Sequence, residues 1–175
     1  MATPLRQVVW DAAAWVALII DEKIRDKAGN VIEDRGDMAR GVQRAAESGI
    51  LEIVTPSLAL VETCGNPETR SAATAQKIAA YFDHDYIQVA PLDTELATRA
   101  RALVQQRPAT GDPYCRPKDA VYLATAADWN IPELHTFDRG LLKLTRKFLT
   151  RDSQPIVICR PDVNMGGASL FEANE

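Results

Sequence analysis

Acidic residues set in apolar surroundings are the groups of this chain best suited to chemistry. Asp11 closes the run VVWD, Glu62 lies within SLALVET, Asp119 opens the alanine-rich KDAVYLATAADW, and Asp138 follows ELHTF. A carboxylate is costly to bury without a partner, so four such positions spread along 175 residues suggest convergence on a shared cation. Oxygen donors favour Mg²⁺ or Mn²⁺ over softer metals. Such a centre suits hydrolysis of a phosphodiester, with water activated and the charge on the phosphate oxygens stabilised.

Each acid also has a plainer reading. Asp138, between a strand and a helix, is equally a capping residue, because helix N-termini favour negative charge. Asp119 shares a helix face with Tyr122, Leu123 and Ala126, so it points towards the apolar side, with some dipole compensation from the first turn. Glu62 shares a face with Leu58 and Ala59 and would be an isolated buried charge unless it met a cation or a basic partner. It is the joint order that favours a site: strand-end Asp, helical Glu, helical Asp, strand-end Asp. Thr136 can hold Asp138 or a phosphate through its hydroxyl, or be an ordinary strand threonine. After Asp138, the residues Arg139, Lys143, Arg146 and Lys147 fall on one face of an expected helix, largely opposite Leu141, Leu142, Leu144 and Phe148. That stripe suits a phosphate backbone; the solvated face of an amphipathic helix is the simpler reading. Trp10 and Trp15 could stack on bases, although core packing accounts for them more simply.

These residues need a scaffold. Short β-like runs at Gln7–Trp10, Glu52–Val54, Ile87–Val89, Glu133–Thr136 and Ile156–Cys159 alternate with helical stretches. The helices are expected at about Ala13–Ile24, Met38–Ser48, Pro56–Cys64, Glu68–Phe82, Thr94–Gln106, Pro117–Trp129 and Arg139–Leu149. The alternation predicts an α/β fold, a three-layer α/β/α arrangement around a mainly parallel sheet of about five strands. Asp11 then stands at the carboxyl end of the first strand, where ligands of open parallel sheets gather. Thr55-Pro56 and Pro117 read as helix starts. Asp26–Gly36 and the Pro/Gly-rich Arg107–Arg116 read as loops, and residues 161–175 as a loose or partner-dependent tail to a core of about residues 7–160.

The bulk properties narrow the classes further. A chain of 175 residues fits one compact domain, and 46% hydrophobic with 25% charged residues excludes disordered and fibrous proteins. The run AAAWVALII is too short to cross a bilayer, and MATPLRQ lacks the features of a signal peptide, so a cytoplasmic protein without a membrane partner is expected. A net charge of −4 argues against nonspecific polyanion binding by the whole surface and leaves room for a local basic track. Cys64, Cys115 and Cys159 read as reduced, mostly packed thiols. With His84 and His135 they are too scattered for a zinc site, and His135 reads as structural.

The segment RPKDAVYLATAADWNIPELHTFDRGLLKL, with VVWD and IVTPSLALVE before it, resembles the PIN domain nucleases. Within them it is most similar to the VapC-type toxin ribonucleases of toxin–antitoxin pairs. The resemblance spans about residues 7–160. It implies a PIN-like fold and a metal-dependent endoribonuclease, with RNA as substrate and Mg²⁺ or Mn²⁺ as cofactor. It implies Asp11 and Asp119 as the innermost ligands, Asp138 as a third, direct or through water, and Glu62 completing the shell or orienting the nucleophilic water. Thr136 is then a supporting residue, and Arg139, Lys143 and Lys147 are candidates to bind substrate. It further implies a homodimer and a small antitoxin partner that blocks the acidic groove with a basic side chain. One departure stands out: members commonly carry a small hydroxyl or amide residue after the first Asp, where this chain has Ala12 and Ala13. That keeps a second reading open, a PIN-like binding or scaffold module without activity. Phosphatases of the haloacid dehalogenase type also begin with a strand-end Asp but carry another two residues on; Ala13 at that position sets them aside.

Overall fold

The computed structural model describes residues 5–106 and 114–164. Its first strand, β1 (Arg6–Trp10), carries Val8, Val9 and Trp10 without a break, and all three are fully buried. A strand apolar on both faces belongs in the middle of a parallel sheet covered on both sides, and β1 takes that place. The other strands are β4 (Leu51–Pro56), β5 (Ile87–Ala90), β6 (Glu133–His135) and β7 (Val157–Cys159), and the five-stranded order is β5-β4-β1-β6-β7. Every pairing is parallel, with Val9 opposite Val54 on one side and Leu134 on the other. All five expected strands are present. The chain builds outward from β1 through β4 and β5, then crosses to β6 and β7. The switch point therefore lies between β1 and β6, and the crevice outside their carboxyl ends is where such sheets bind ligands.

Helices flank the sheet in two groups. Around α1 (Ala12–Ile20) gather α2 (Arg35–Glu47), α3 (Leu58–Thr63) and α4 (Ala72–Phe82), while α5 (Thr94–Gln105) packs on α6 (Pro117–Asp128). Both tryptophans serve the core. Trp15 lies 4.8 Å from the Trp10 ring and 4.8 Å from Phe82, and donates to the Thr55 hydroxyl at 3.1 Å. His135 is structural as expected: Trp10 Nε1 donates to its Nδ1 at 3.2 Å, and its Nε2 meets Glu133 at 2.7 Å. Among the described residues no helix is long and apolar enough to cross a membrane.

Several boundaries differ from the sequence reading. α1 stops at Ile20, short of Ile24, because Asp21 turns left-handed with φ 52°. The expected loop Asp26–Gly36 is largely a hairpin, β2 (Lys23–Arg25) against β3 (Val31–Asp34), followed by the start of α2. Its turn is closed by the Asp26 carboxylate, which accepts from the Ala28 and Asn30 amides at 2.8 and 2.9 Å. Pro56 does not open a helix but ends β4, and the Ser57 amide still donates to Ala90 at 2.8 Å; pairing with β5 keeps the chain extended. The stretch Glu68–Phe82 divides into a 3₁₀ turn at Pro67–Thr69 and α4, which Ser71 caps. The last expected helix is a single turn, α7 (Arg139–Leu142), rather than running to Leu149. Arg146 adopts φ 59° and its amide donates to the Ile156 carbonyl at 2.8 Å, so Arg139, Lys143, Arg146 and Lys147 are exposed without sharing one helix face. Residues 107–113 of the expected second loop and 165–175 of the expected tail lie outside the described residues.

Candidate metal centre

The centre is assembled where β1 and β6 end. Asp11 follows β1 and caps α1, its Oδ1 accepting from the Ala14 amide at 3.0 Å and its Oδ2 from the Thr136 hydroxyl at 2.5 Å. Burial pushes the Asp11 carboxyl up to about 7, and the nearby Asp138 and Glu62 charges push the same way. Thr136 follows β6, and its hydroxyl also accepts the Asp138 amide at 2.9 Å. This one hydroxyl therefore ties the first acid to the backbone of the fourth, instead of holding the Asp138 carboxylate.

Asp138 turns out to be both cap and cluster member. Its Oδ1 accepts from the Gly140 and Leu141 amides at 2.6 and 3.1 Å, while its Oδ2 pairs with Arg116 Nη2 at 2.8 Å. Burial raises its pKa, but Arg116 and the two amides more than offset that, and the carboxyl is held below its ordinary value. Asp119 lies in the first turn of α6, 3% exposed, and receives Arg116 Nε at 2.7 Å on Oδ2 and Nη2 at 3.2 Å on Oδ1. There burial wins over the arginine and the pKa is raised.

Glu62 reaches the centre from α3 and is not an isolated charge. Its Oε2 accepts from the Tyr122 hydroxyl at 2.6 Å, and its Oε1 lies 3.5 Å from Lys118 Nζ. Burial and the Glu62 carboxylate together hold the Tyr122 phenol protonated far above its ordinary range. The start of α6 thus delivers Arg116, Lys118, Asp119 and Tyr122 to one place. Sequence reasoning picked only Asp119 of these as functional. The signal for the rest was RPKD itself, with basic residues three and one before the acid, and Tyr122 one turn after it.

A groove of about 510 Å³ opens over the centre, lined by Ala12, Ala13, Glu62, Lys118, Phe137 and Asp138 among others. The two alanines after Asp11 give this wall methyl groups instead of polar contacts. Arg35 forms another wall, stacked 5.1 Å over Phe137 and paired with Glu22 at 3.3 Å. Arg139, Lys143 and Lys147 do not line the groove.

The fold also makes a cluster that sequence spacing concealed. Strand register sets His135 beside Cys159, and with Glu133 their ligand atoms lie within 4.8 Å of one another. Arg6 already fills it, with Nη2 2.7 and 2.9 Å from the Glu133 oxygens. Both His135 nitrogens are engaged, and burial together with Glu133 pushes the Cys159 thiol up to about 12. This donor set is an internal ion pair with a protonated thiol. The four acids differ in donor type: they form an all-oxygen set, in which burial first and the Asp138 and Glu62 charges second raise the Asp11 carboxyl. Although Arg116 pairs with Asp119 and Asp138 and Lys118 lies near Glu62, oxygen donors suit a hard divalent ion.

A family model described as the PIN domain matches residues 8–147. No curated protein matches the chain. Among solved structures, that of Mycobacterium tuberculosis VapC20, described as a sarcin-ricin loop cleaving toxin, is similar at a TM-score of 0.53 and 21% identity, over 77% of this chain and 92% of that one. The likeness to VapC20 is one of fold.

Proposed function

The chain belongs to the PIN domain family, and from that premise we propose that it is a divalent-metal-dependent endoribonuclease, the toxin of a toxin–antitoxin pair. The observation that carries this reading is the gathering of the acids beside the switch point of the sheet: Asp11 feels the charges of Asp138 and Glu62, Asp119 feels that of Asp138, and Glu62 and Asp138 line the groove. Asp11 and Asp119 are the innermost ligands of Mg²⁺ or Mn²⁺, and Asp138 is the third. Bound there, the ion supplies an activated water and charge stabilisation at the scissile phosphate. Thr136 keeps the Asp11 carboxylate and the Asp138 backbone at a set separation. Tyr122 anchors one oxygen of Glu62 and leaves Oε1, whose contact to Lys118 is long, to orient the attacking water and accept its proton. Arg139, Lys143 and Lys147, exposed beyond the groove, hold flanking phosphates of the RNA. Residues 1–175 form one PIN-like domain, working in the cytoplasm as a homodimer and restrained by a small antitoxin.

The test is cleavage by the purified chain of several structured RNAs, a sarcin–ricin hairpin among them. Reactions contain Mg²⁺, Mn²⁺ or EDTA, with Asp119→Asn alongside. Cutting that needs the metal and is lost in the variant supports the proposal. A folded, partner-free protein that cuts none of them points to the inactive binding or scaffold module instead.

A further inference from the structure

Arg116 occupies the N-cap position of α6 but makes no side-chain cap bond. Its guanidinium turns into the acidic centre, donating to both oxygens of Asp119 at 2.7 and 3.2 Å and to Asp138 Oδ2 at 2.8 Å. The other Asp138 oxygen is taken by the amides that α7 presents. One planar fork thus spans two carboxylates brought from different elements, as a divalent ion would, but with half the charge. The space it fills is shaped for it: a Cβ added at Gly140 would lie 3.2 Å from Arg116 Nη2 and 3.0 Å from Asp138 Oδ1.

The two partners differ in how firmly they are held. The Asp119 side chain is 5% exposed and sits on a packed helix, whereas the Arg116 side chain is 42% exposed. Asp119 is held by its helix and Asp138 by the Gly140 and Leu141 amides, while the half-exposed guanidinium regains water when it swings out and gives up only its ion pairs. We propose that Asp119 and Asp138 form a cation position that Arg116 fills in the metal-free chain, and that a divalent ion takes it only by displacing the guanidinium. The purpose of that ion rests on the nuclease reading above; the exchange itself does not depend on RNA. Arg116 is then a positioning residue. It keeps the acids together without metal and raises the free-metal concentration needed to load the centre.

The experiment is calorimetric titration of the metal-free full chain with Mn²⁺, for wild type, Arg116→Gln and Arg116→Lys, with thermal unfolding in EDTA and in saturating Mn²⁺. Removing the competitor should tighten Mn²⁺ binding about tenfold in Arg116→Gln, the worth of one charge-assisted contact. Arg116→Lys, which keeps the charge but loses the fork, should fall between and carries the comparison if the glutamine variant folds poorly. Arg116→Gln should unfold at a lower temperature than wild type in EDTA, and the gap should close in saturating Mn²⁺. Unchanged or weaker Mn²⁺ affinity overturns the exchange, as does a gap that persists undiminished with metal, the mark of a merely structural arginine. Wild type and variant showing the exchange but cutting no RNA would refute the nuclease reading alone. Metal-dependent cutting with unaltered Mn²⁺ affinity in Arg116→Gln would refute the exchange alone.

Discussion

At the scale of the residue, the centre is poised by unfavourable burial. The folded chain holds the Asp11 proton up to a pKa of about 7, against an ordinary 3.8. Between those values the folded state keeps a proton that the unfolded state has lost, so this group's contribution to stability falls as pH rises and levels off above about 7. In EDTA, wild type should therefore lose more urea resistance between pH 5 and pH 8 than Asp11→Asn does. Equal losses in the two proteins would show that the Asp11 carboxyl is not strained by burial. Thr136 gives a second prediction. Thr136→Val leaves the buried Asp11 carboxylate one donor short and the Asp138 amide without its acceptor, costing about 2 kcal/mol or more. Cleavage should drop at least ~10-fold as the acids lose their separation, and Thr136→Ser should restore most of both. The acids themselves were legible in the sequence because carboxylates inside apolar patterns need a reason to be there. Arg116, Lys118 and Tyr122 were not, because basic residues next to a helix start look like ordinary solvated ones until the fold shows what they face.

At the scale of the element, the strands were legible and the small pieces were not. Runs such as QVVW and EIV are apolar and β-branched enough to read as strands, and each became part of the main sheet, although the second continues through Thr55-Pro56, which read as a helix start. The hairpin β2–β3 is only three and four residues per strand, too short for periodicity to register, and its Asp-Lys-Ala-Gly-Asn turn dominates the local composition. α7 fails the opposite way. Its amphipathic pattern continues to Leu149, but the bond from the Arg146 amide to Ile156 redirects the backbone after one turn. Tertiary pairing overrode a good local pattern. The hairpin matters because α2 begins where it ends and brings Arg35 to the groove wall. A Cβ at Gly36 would lie 2.6 Å from the Asp21 carboxylate and 2.8 Å from its backbone. Gly36→Ala should therefore cost about 1–3 kcal/mol by forcing the junction of α1 and α2 apart, seen as a lowered unfolding midpoint. An unchanged midpoint would mean that this junction is looser than its geometry indicates.

At the scale of the whole molecule, charge and topology act together. With a net charge of −4 on the protein, the proposed RNA substrate would be held through local contacts rather than through the overall field. Replacing Arg139, Lys143 and Lys147 together by Ala should weaken RNA binding and reduce its salt dependence by about two units of log–log slope, leaving Mn²⁺ affinity unchanged. A slope equal to wild type would place the RNA track elsewhere. Topology explains why acids so far apart in sequence meet: the switch point between β1 and β6 collects Asp11 and Asp138, and the end of α3 and the start of α6 bring Glu62 and Asp119 to the same edge. This edge, rather than the Arg6-filled cluster of Glu133, His135 and Cys159, is the proposed metal position. The most direct measurement is the anomalous diffraction of crystals grown in Mn²⁺. A peak is expected at coordinating distance, about 2 Å, from oxygens of Asp11, Asp119 and Asp138. A peak at Glu133, His135 and Cys159, or none at the four acids in crystals of a protein that cuts RNA, would contradict it.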